Sequence, residues 1–237
     1  MRHIALFVLS LLAYSAAARA EPVDVELVIA ADGSGSIDAD ELRLQRDGWA
    51  SALESPEVLA AIADGIIGRI AIVYAEWGGP ASQHVIVDWH VISDAAGAAR
   101  FGTRLRETPR MAHGYNSISA AIEFGVGLVE ANAFEGARKI IDVSGDGPNI
   151  GGPPISLSRA NALAKGFTIN ALAIRRPGGS IRSVDGRPLE RYYADAIIGG
   201  PGAFVEIADE TRPFAVAAKR KLLQEIAGRE LPRFAER

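Results

Sequence analysis

Two patterns of hydrophobic positions alternate along the chain: short, nearly continuous apolar runs, and longer stretches in which apolar residues return every three or four positions. Val23, Val25, Leu27, Val28, Ile29 and Ala30 form the first run. It is too densely apolar for a strand with one wet face, and it suits a central strand covered on both sides. Similar runs at Arg69 to Trp77 (Ile70, Ile72, Val73, Tyr74), Arg138 to Ser144 (Ile140, Ile141, Val143), Thr168 to Ile174 and Ala203 to Ile207 predict further strands. Gln83 to His90 alternates more strictly and predicts an edge strand, suited to an antiparallel position.

Helical spacing fills the intervals. Ser36 and Asp38 are caps for a helix that carries Leu42, Leu44, Trp49 and Leu53. Asp94 to Arg106, Ser117 to Asn132, Ser156 to Lys165 and Arg212 to Ala227 predict helices, with a shorter one near Leu189 to Ile197. The alanines and glycines of Ser117 to Asn132 let that helix lie close against a sheet. Arg175 to Arg187 is a polar, glycine-containing excursion. Strands alternating with helices predict an α/β fold with a mostly parallel central sheet, one antiparallel edge strand and helices on both faces. No linker or internal repeat interrupts the pattern, so one domain is expected.

The first residues depart from this alternation. Arg2 and His3 precede the apolar run Ile4 to Leu12, and Ala16-Ala17-Ala18-Arg19-Ala20 follows. A charged start, a short apolar core and an Ala-x-Ala end predict a secretory signal peptide over residues 1–20, cut after Ala20. The run is well short of the roughly 20 residues that span a bilayer, and no later stretch is apolar enough to span one. The expected mature protein is residues 21–237, periplasmic or secreted. Composition agrees with export of a chain that needs no covalent staple: it has no Cys, so disulfides play no part. Its 25 Lys and Arg against 29 Asp and Glu give a formal charge of −4, and removing the leader takes away two arginines and no acid. Nothing resembles the basic stripe of a nucleic-acid-binding protein.

The chemistry-bearing residues gather at predicted strand ends. Asp32-Gly33-Ser34-Gly35-Ser36 follows the first strand, and ligands of open α/β sheets bind beyond the carboxyl ends of the strands. One carboxylate and two hydroxyls at alternate positions can converge as oxygen donors, with glycines between them to let the backbone curl. Such hard donors suit Mg²⁺, Ca²⁺ or Mn²⁺. A Ser/Gly turn that merely caps a helix is the plain alternative. Val143-Ser144-Gly145-Asp146-Gly147 sets a second carboxylate, Asp146, directly after a buried strand. Were the two strands neighbours, Asp32 and Asp146 would approach each other, an arrangement a cation makes tolerable. Taken singly, Asp146 reads as an Asp-Gly turn residue, and Asp142 inside the strand as a structural hydrogen-bonding acid.

These loops, in this order, resemble the metal-ion-dependent adhesion site (MIDAS) of von Willebrand factor type A (VWA) domains, and the likeness covers nearly the whole mature chain. Ile141 to Asn149, Thr168 to Leu172 and Gly199 to Val205 are similar to a narrower bacterial branch, domain of unknown function 1194. The resemblance implies a single VWA/Rossmann-like domain in which Asp32, Ser34, Ser36 and Asp146 hold a divalent metal, Mg²⁺ first, with Ca²⁺ or Mn²⁺ open. A coordination position would be left for a partner's carboxylate. The second loop departs from the pattern, because counting back from Ala121-Ile122 reaches Asn116 where the family carries Thr. Asn116 is the expected donor by spacing, and Ser117 is the alternative.

Other features carry less. His84, His90 and His113 show no mutual metal spacing, and Tyr115 either flanks the second loop or packs. Trp77-Gly78-Gly79-Pro80, after a strand end, either lines the binding face or forms a plain turn, and Tyr192 and Tyr193 read as core or helix-face aromatics. Gly33-Ser34-Gly35 lacks the Gly-Lys-Ser/Thr of a nucleotide loop. The expected function is binding without turnover: an exported module that captures a protein or peptide offering a carboxylate. Two alternatives stand beside it. One is a structural domain whose metal site is degenerate at Asn116. The other is a metal-dependent phosphatase, weakened because Ser34 stands where that chemistry wants a second Asp.

Overall fold

In a computed structural model the chain forms a six-stranded sheet between two helical layers. The structure describes residues 20–175 and 186–228; the leader and most of the polar excursion fall outside the described residues. The elements run β1 (Glu21–Asp32), α1 (Ala39–Leu53), α2 (Pro56–Ala63), β2 (Ile70–Trp77), β3 (Gln83–Ile92), α3 (Ala95–Glu107), α4 (Ile118–Glu130), β4 (Phe134–Gly145), α5 (Ile155–Ala164), β5 (Phe167–Ile174), α6 (Leu189–Tyr192), β6 (Val205–Ala208) and α7 (Phe214–Ala227). A π-helical turn, Tyr193–Ile197, continues α6.

The sheet order is β3-β2-β1-β4-β5-β6. Every pairing is parallel except that of β3 with β2, so the antiparallel edge is where the strict alternation of Gln83 to His90 put it. Strand β1 splits the hydrophobic core. Val25, Leu27, Ile29 and Ala31 face one cluster, which takes in Trp49, Leu53, Val58, Ile62, Phe101 and Leu222 of α1, α2, α3 and α7. Val28 and Ala30 face the other, formed with Ile118, Ile122 and Val126 of α4, Ala162 of α5 and Leu189 of α6. Burial on both faces is what the nearly continuous apolar run requires.

Three elements differ from the sequence pattern. Helix α2 was not expected, although Ser55 caps it by accepting from the Val58 amide and Pro56 occupies its first turn. Strand β4 begins at Phe134, before Arg138, because its polar start pairs with Glu21, Pro22 and Val23. Of the two caps considered for α1, Asp38 takes the role in a capping box with Glu41, which leaves Ser36 to the loop.

The chain visits β2 and β3 on one side of β1, then crosses to β4, β5 and β6 on the other. The β1–β4 boundary is therefore the switch point at which open α/β sheets form a ligand crevice. The register aligns Ala31 with Ser144, bringing Asp32, the last residue of β1, near Asp146, just past the end of β4.

Candidate functional site

Three loops meet at this boundary. The first, Asp32 to Ile37, leaves β1 and turns at once: the Ser34 amide donates to Asp32 Oδ1 at 2.8 Å, an Asx turn that aims the Ser34 side chain back toward the strand end. Ser34 Oγ and Ser36 Oγ lie 3.1 Å apart, and Ser36 Oγ donates to Asp146 Oδ1 at 3.2 Å. The Asp146 amide points at Asp32 Oδ2 at 3.5 Å. Asp32, Ser34 and Asp146 are buried. Two buried carboxylates and the buried Ser34 hydroxyl thus meet, with Ser36 at the exposed rim, drawn from strands that the sequence separates widely.

Asn116 and Ser117 supply the second loop, and they do different things. The Asn116 amide group lies over Gly147, where an added Cβ would stand 2.5 Å from Nδ2. The Asn116 carbonyl accepts from the Ile150 and Gly151 amides at 2.8 and 3.2 Å, locking the second loop to the third. Ser117 Oγ instead donates to the Gly151 carbonyl at 2.9 Å. The Asn116 side chain is therefore beside Gly147, the residue after Asp146, while the Ser117 hydroxyl is spent on the third loop.

The electrostatics follow from burial and like charge. The Asp32 carboxyl is pushed up to about 7, first because burial disfavours its charged form and then because Asp146 is close; the bonds from Ser34 pull the other way. The Tyr193 hydroxyl is pushed up by burial and then by the charges of Asp32 and Asp146. Among the described residues no group of three or more His, Cys, Asp or Glu side chains is placed to hold a metal. This site differs from such clusters in kind: it has two acids, and hydroxyls and an amide make up the rest of its oxygen donors. That donor set is the one hard divalent cations take.

Several residues that shape the site were invisible in the sequence. Arg110 spreads its guanidinium over backbone carbonyls, Nη2 donating to Gly33 at 2.7 Å and Ser34 at 2.6 Å, and Nη1 to Ile37 at 2.7 Å. These bonds turn the first loop's carbonyls toward Arg110. Tyr193, expected only as a packing aromatic, donates its hydroxyl to the Gly147 carbonyl at 2.9 Å. Trp77 is buried, with Nε1 donating to the Ala30 carbonyl at 2.9 Å. His84 and His113 do meet, each with a ring nitrogen 3.2 Å from Ser82 Oγ; His90 stands apart, against Phe101.

Gly145 shows how little room remains. A Cβ there would come within 2.8 Å of the Tyr193 hydroxyl, 3.1 Å of the Trp77 ring and 3.2 Å of Asp32 Oδ2. Gly145→Ala is therefore expected to cost about 1–3 kcal/mol of stability through overpacking, read as a lower midpoint in urea with an unchanged slope. An unshifted midpoint would mean that the strand end is looser than these distances imply.

The sheet order, the two helical layers and the three loops define a VWA-type fold. A von Willebrand factor type A protein from Catenulispora acidiphila superposes with a TM-score of 0.52 at 18% identity, covering 86% of this chain and 42% of that one. The pilus adhesin SpaC from Lactobacillus rhamnosus GG matches with a TM-score of 0.60 at 15% identity, over 88% of this chain and 31% of its own. Proximal thread matrix protein 1 from the mussel byssus, with a zinc-occupied MIDAS motif, gives 0.57 at 13% identity, over 86% and 45%. The chain spans less than half the length of each. No curated protein matches. Within this fold the chain belongs to the family described as Protein of unknown function (DUF1194), whose model matches residues 22–230.

Proposed function

We propose that this protein is an exported binding module, periplasmic or secreted, in which Asp32, Ser34, Ser36, Asn116 and Asp146 hold a divalent cation, Mg²⁺ first among them. A carboxylate of a protein or peptide partner completes the coordination, and no turnover follows. The observation that carries the reading is the meeting of two buried carboxylates, Asp32 and Asp146, at the β1–β4 boundary, linked by the Asp146 amide and through Ser34 and Ser36. Two like charges in so little solvent are costly, and a cation between them removes the cost.

When bound, the cation supplies an electrophilic centre that takes one more oxygen. The protein's own residues do the rest. The Ser34 amide orients Asp32, and Ser36 Oγ orients Asp146. Arg110 turns the first loop's carbonyls away, leaving side chains as its donors. With two acids and otherwise neutral donors, the site leaves a divalent ion undersatisfied in charge, and a partner's carboxylate balances it. The mussel protein has a zinc-occupied MIDAS motif, which supports a metal at this place in the fold. No helix among the described residues is long and apolar enough to cross a membrane.

Asn116 favours a second reading, a structural domain with a degenerate site, since its Nδ2 is the atom nearest the space above Gly147. Calorimetric titration with Mg²⁺, Ca²⁺ and Mn²⁺ separates the two. The binding reading expects saturable heat with at least one cation, together with capture of a partner from the native envelope that chelator abolishes. Absence of heat with all three, or capture indifferent to chelator, overturns it.

A further inference from the structure

Exposed apolar side chains are unevenly placed on this molecule, and three of the largest lie on the loops that build the site. Tyr115 is 79% exposed, Ile150 64% and Met111 49%. Tyr115 directly precedes Asn116, and the Ile150 amide donates to the Asn116 carbonyl at 2.8 Å, so the two bracket that residue from different loops. Met111 belongs to the segment that carries Arg110 and Ala112 against the first loop, and the Gly35 amide is bound to the Gly114 carbonyl at 2.9 Å in the same segment. Exposed Pro80 extends this side: a Cβ on Gly151, the residue after Ile150, would lie 3.2 Å from its Cγ.

Next to Ser36 the chain is polar: exposed Asp38 caps α1, and exposed Asp40 pairs with Arg43 at 2.7 Å. The apolar side chains therefore flank Asn116, with exposed Arg110 and His113 in the same segment as Tyr115. Apolar surface kept in water at a binding mouth is stabilised when a ligand covers it. Tyrosine is especially suited to this, since it offers a broad contact face at small entropic cost.

We propose that the partner is a protein or peptide segment whose coordinating Asp or Glu is followed immediately by a large apolar or aromatic residue, which packs on the shelf made by Tyr115 and Ile150. A second acid in that position covers none of this apolar surface. The inference rests on the metal-dependent carboxylate binding argued above and adds the residue class beside the carboxylate.

The test uses immobilised, end-blocked pentapeptides Gly-Gly-Asp-Phe-Gly, Gly-Gly-Asp-Ser-Gly and Gly-Gly-Asp-Asp-Gly, read by interferometry with the full mature chain in Mg²⁺ and in chelator. The Phe peptide is expected to bind at least about tenfold more tightly than the Ser peptide or the Asp-Asp peptide, as covering part of one aromatic side chain implies. In the double variant Tyr115→Ser, Ile150→Ser the preference is expected to vanish while Mg²⁺ titration heats stay as in the parent. Both side chains are exposed, so the fold should tolerate the change, and the unchanged heats verify it. Mg²⁺-dependent binding without a Phe preference, or a preference that survives the double variant, overturns this inference alone. Failure of every acidic peptide to bind in a Mg²⁺-dependent way overturns it together with the reading on which it rests.

Discussion

Replacing Lys221 with methionine is expected to destabilise the fold by about 3–5 kcal/mol, the usual cost of stripping one partner from a buried ionic group. Lys221 is fully buried on α7, facing β4. Its Nζ donates to Glu225 Oε1 at 2.5 Å, lies 3.1 Å from Asp142 Oδ1 and sits over the Phe204 ring at 4.9 Å. Asn170 of β5 donates to the same Glu225 oxygen at 2.9 Å. Two acids and one lysine cannot all stay charged in an apolar interior. Asp142 gives way: burial first, then the Glu225 charge, push its carboxyl well above the ordinary range. The Lys221 ammonium lies closer to Glu225 than to Asp142.

That assignment makes a contrast measurable. Lys221→Met leaves a buried Glu225 charge without its ammonium, and for a domain of this size the loss corresponds to a melting temperature lower by roughly 6–20 °C. Burial and the Glu225 charge already push Asp142 toward its protonated form, so Asp142→Asn should cost no more than about 1 kcal/mol. Urea denaturation of both variants checks the pair. Equal, large losses would mean that Asp142 is ionised and that the lysine serves it as much as Glu225. The cluster anchors α7 to β4, which ends one residue before Asp146.

The legible parts of this molecule were those written in local sequence. The Asp32 to Ser36 loop could be read because its donors are spaced along a few residues after an apolar run. Asp146 could be read because a dense β-branched strand stopped at an Asp-Gly turn. The adjacency of β1 and β4 was conditional in the sequence, since strand order is a property of the assembled sheet. Arg110 and Tyr193 escaped notice for a physical reason. Both act on backbone carbonyls, of Gly33, Ser34, Ile37 and Gly147, and a carbonyl has no residue identity to read. The choice between Asn116 and Ser117 was open for a similar reason. Both are polar and adjacent, and only the fold of the third loop, with the Gly151 carbonyl waiting for a hydroxyl, separates them. Helix α2 was overlooked despite Ser55 and Pro56, because eight residues give too little periodicity to stand out between longer elements.

Asp146→Asn is expected to reverse the order of stability between parent and variant when the medium changes from chelator to Mg²⁺. In chelator the parent holds two carboxylates in one buried space, and the Asp146 charge is one of the two causes that raise Asp32. Asparagine keeps an oxygen for Ser36 to bond and removes the like charge, so the variant should be more stable than the parent by about 1 kcal/mol. In Mg²⁺ the relation inverts. A site saturated at a hundred times its dissociation constant stabilises the parent by about 2.7 kcal/mol, and the variant, short of one anionic donor, should gain little. Melting curves of both proteins in both media make the comparison, and the two lines of stability against Mg²⁺ should cross. Purely structural carboxylates would give another picture, with a variant less stable than the parent in chelator and an equal, negligible response of both to Mg²⁺. A site that binds metal without Asp146 would raise both curves in parallel. The crossing belongs only to a pair of acids whose mutual repulsion in the empty site is the source of its affinity for a cation.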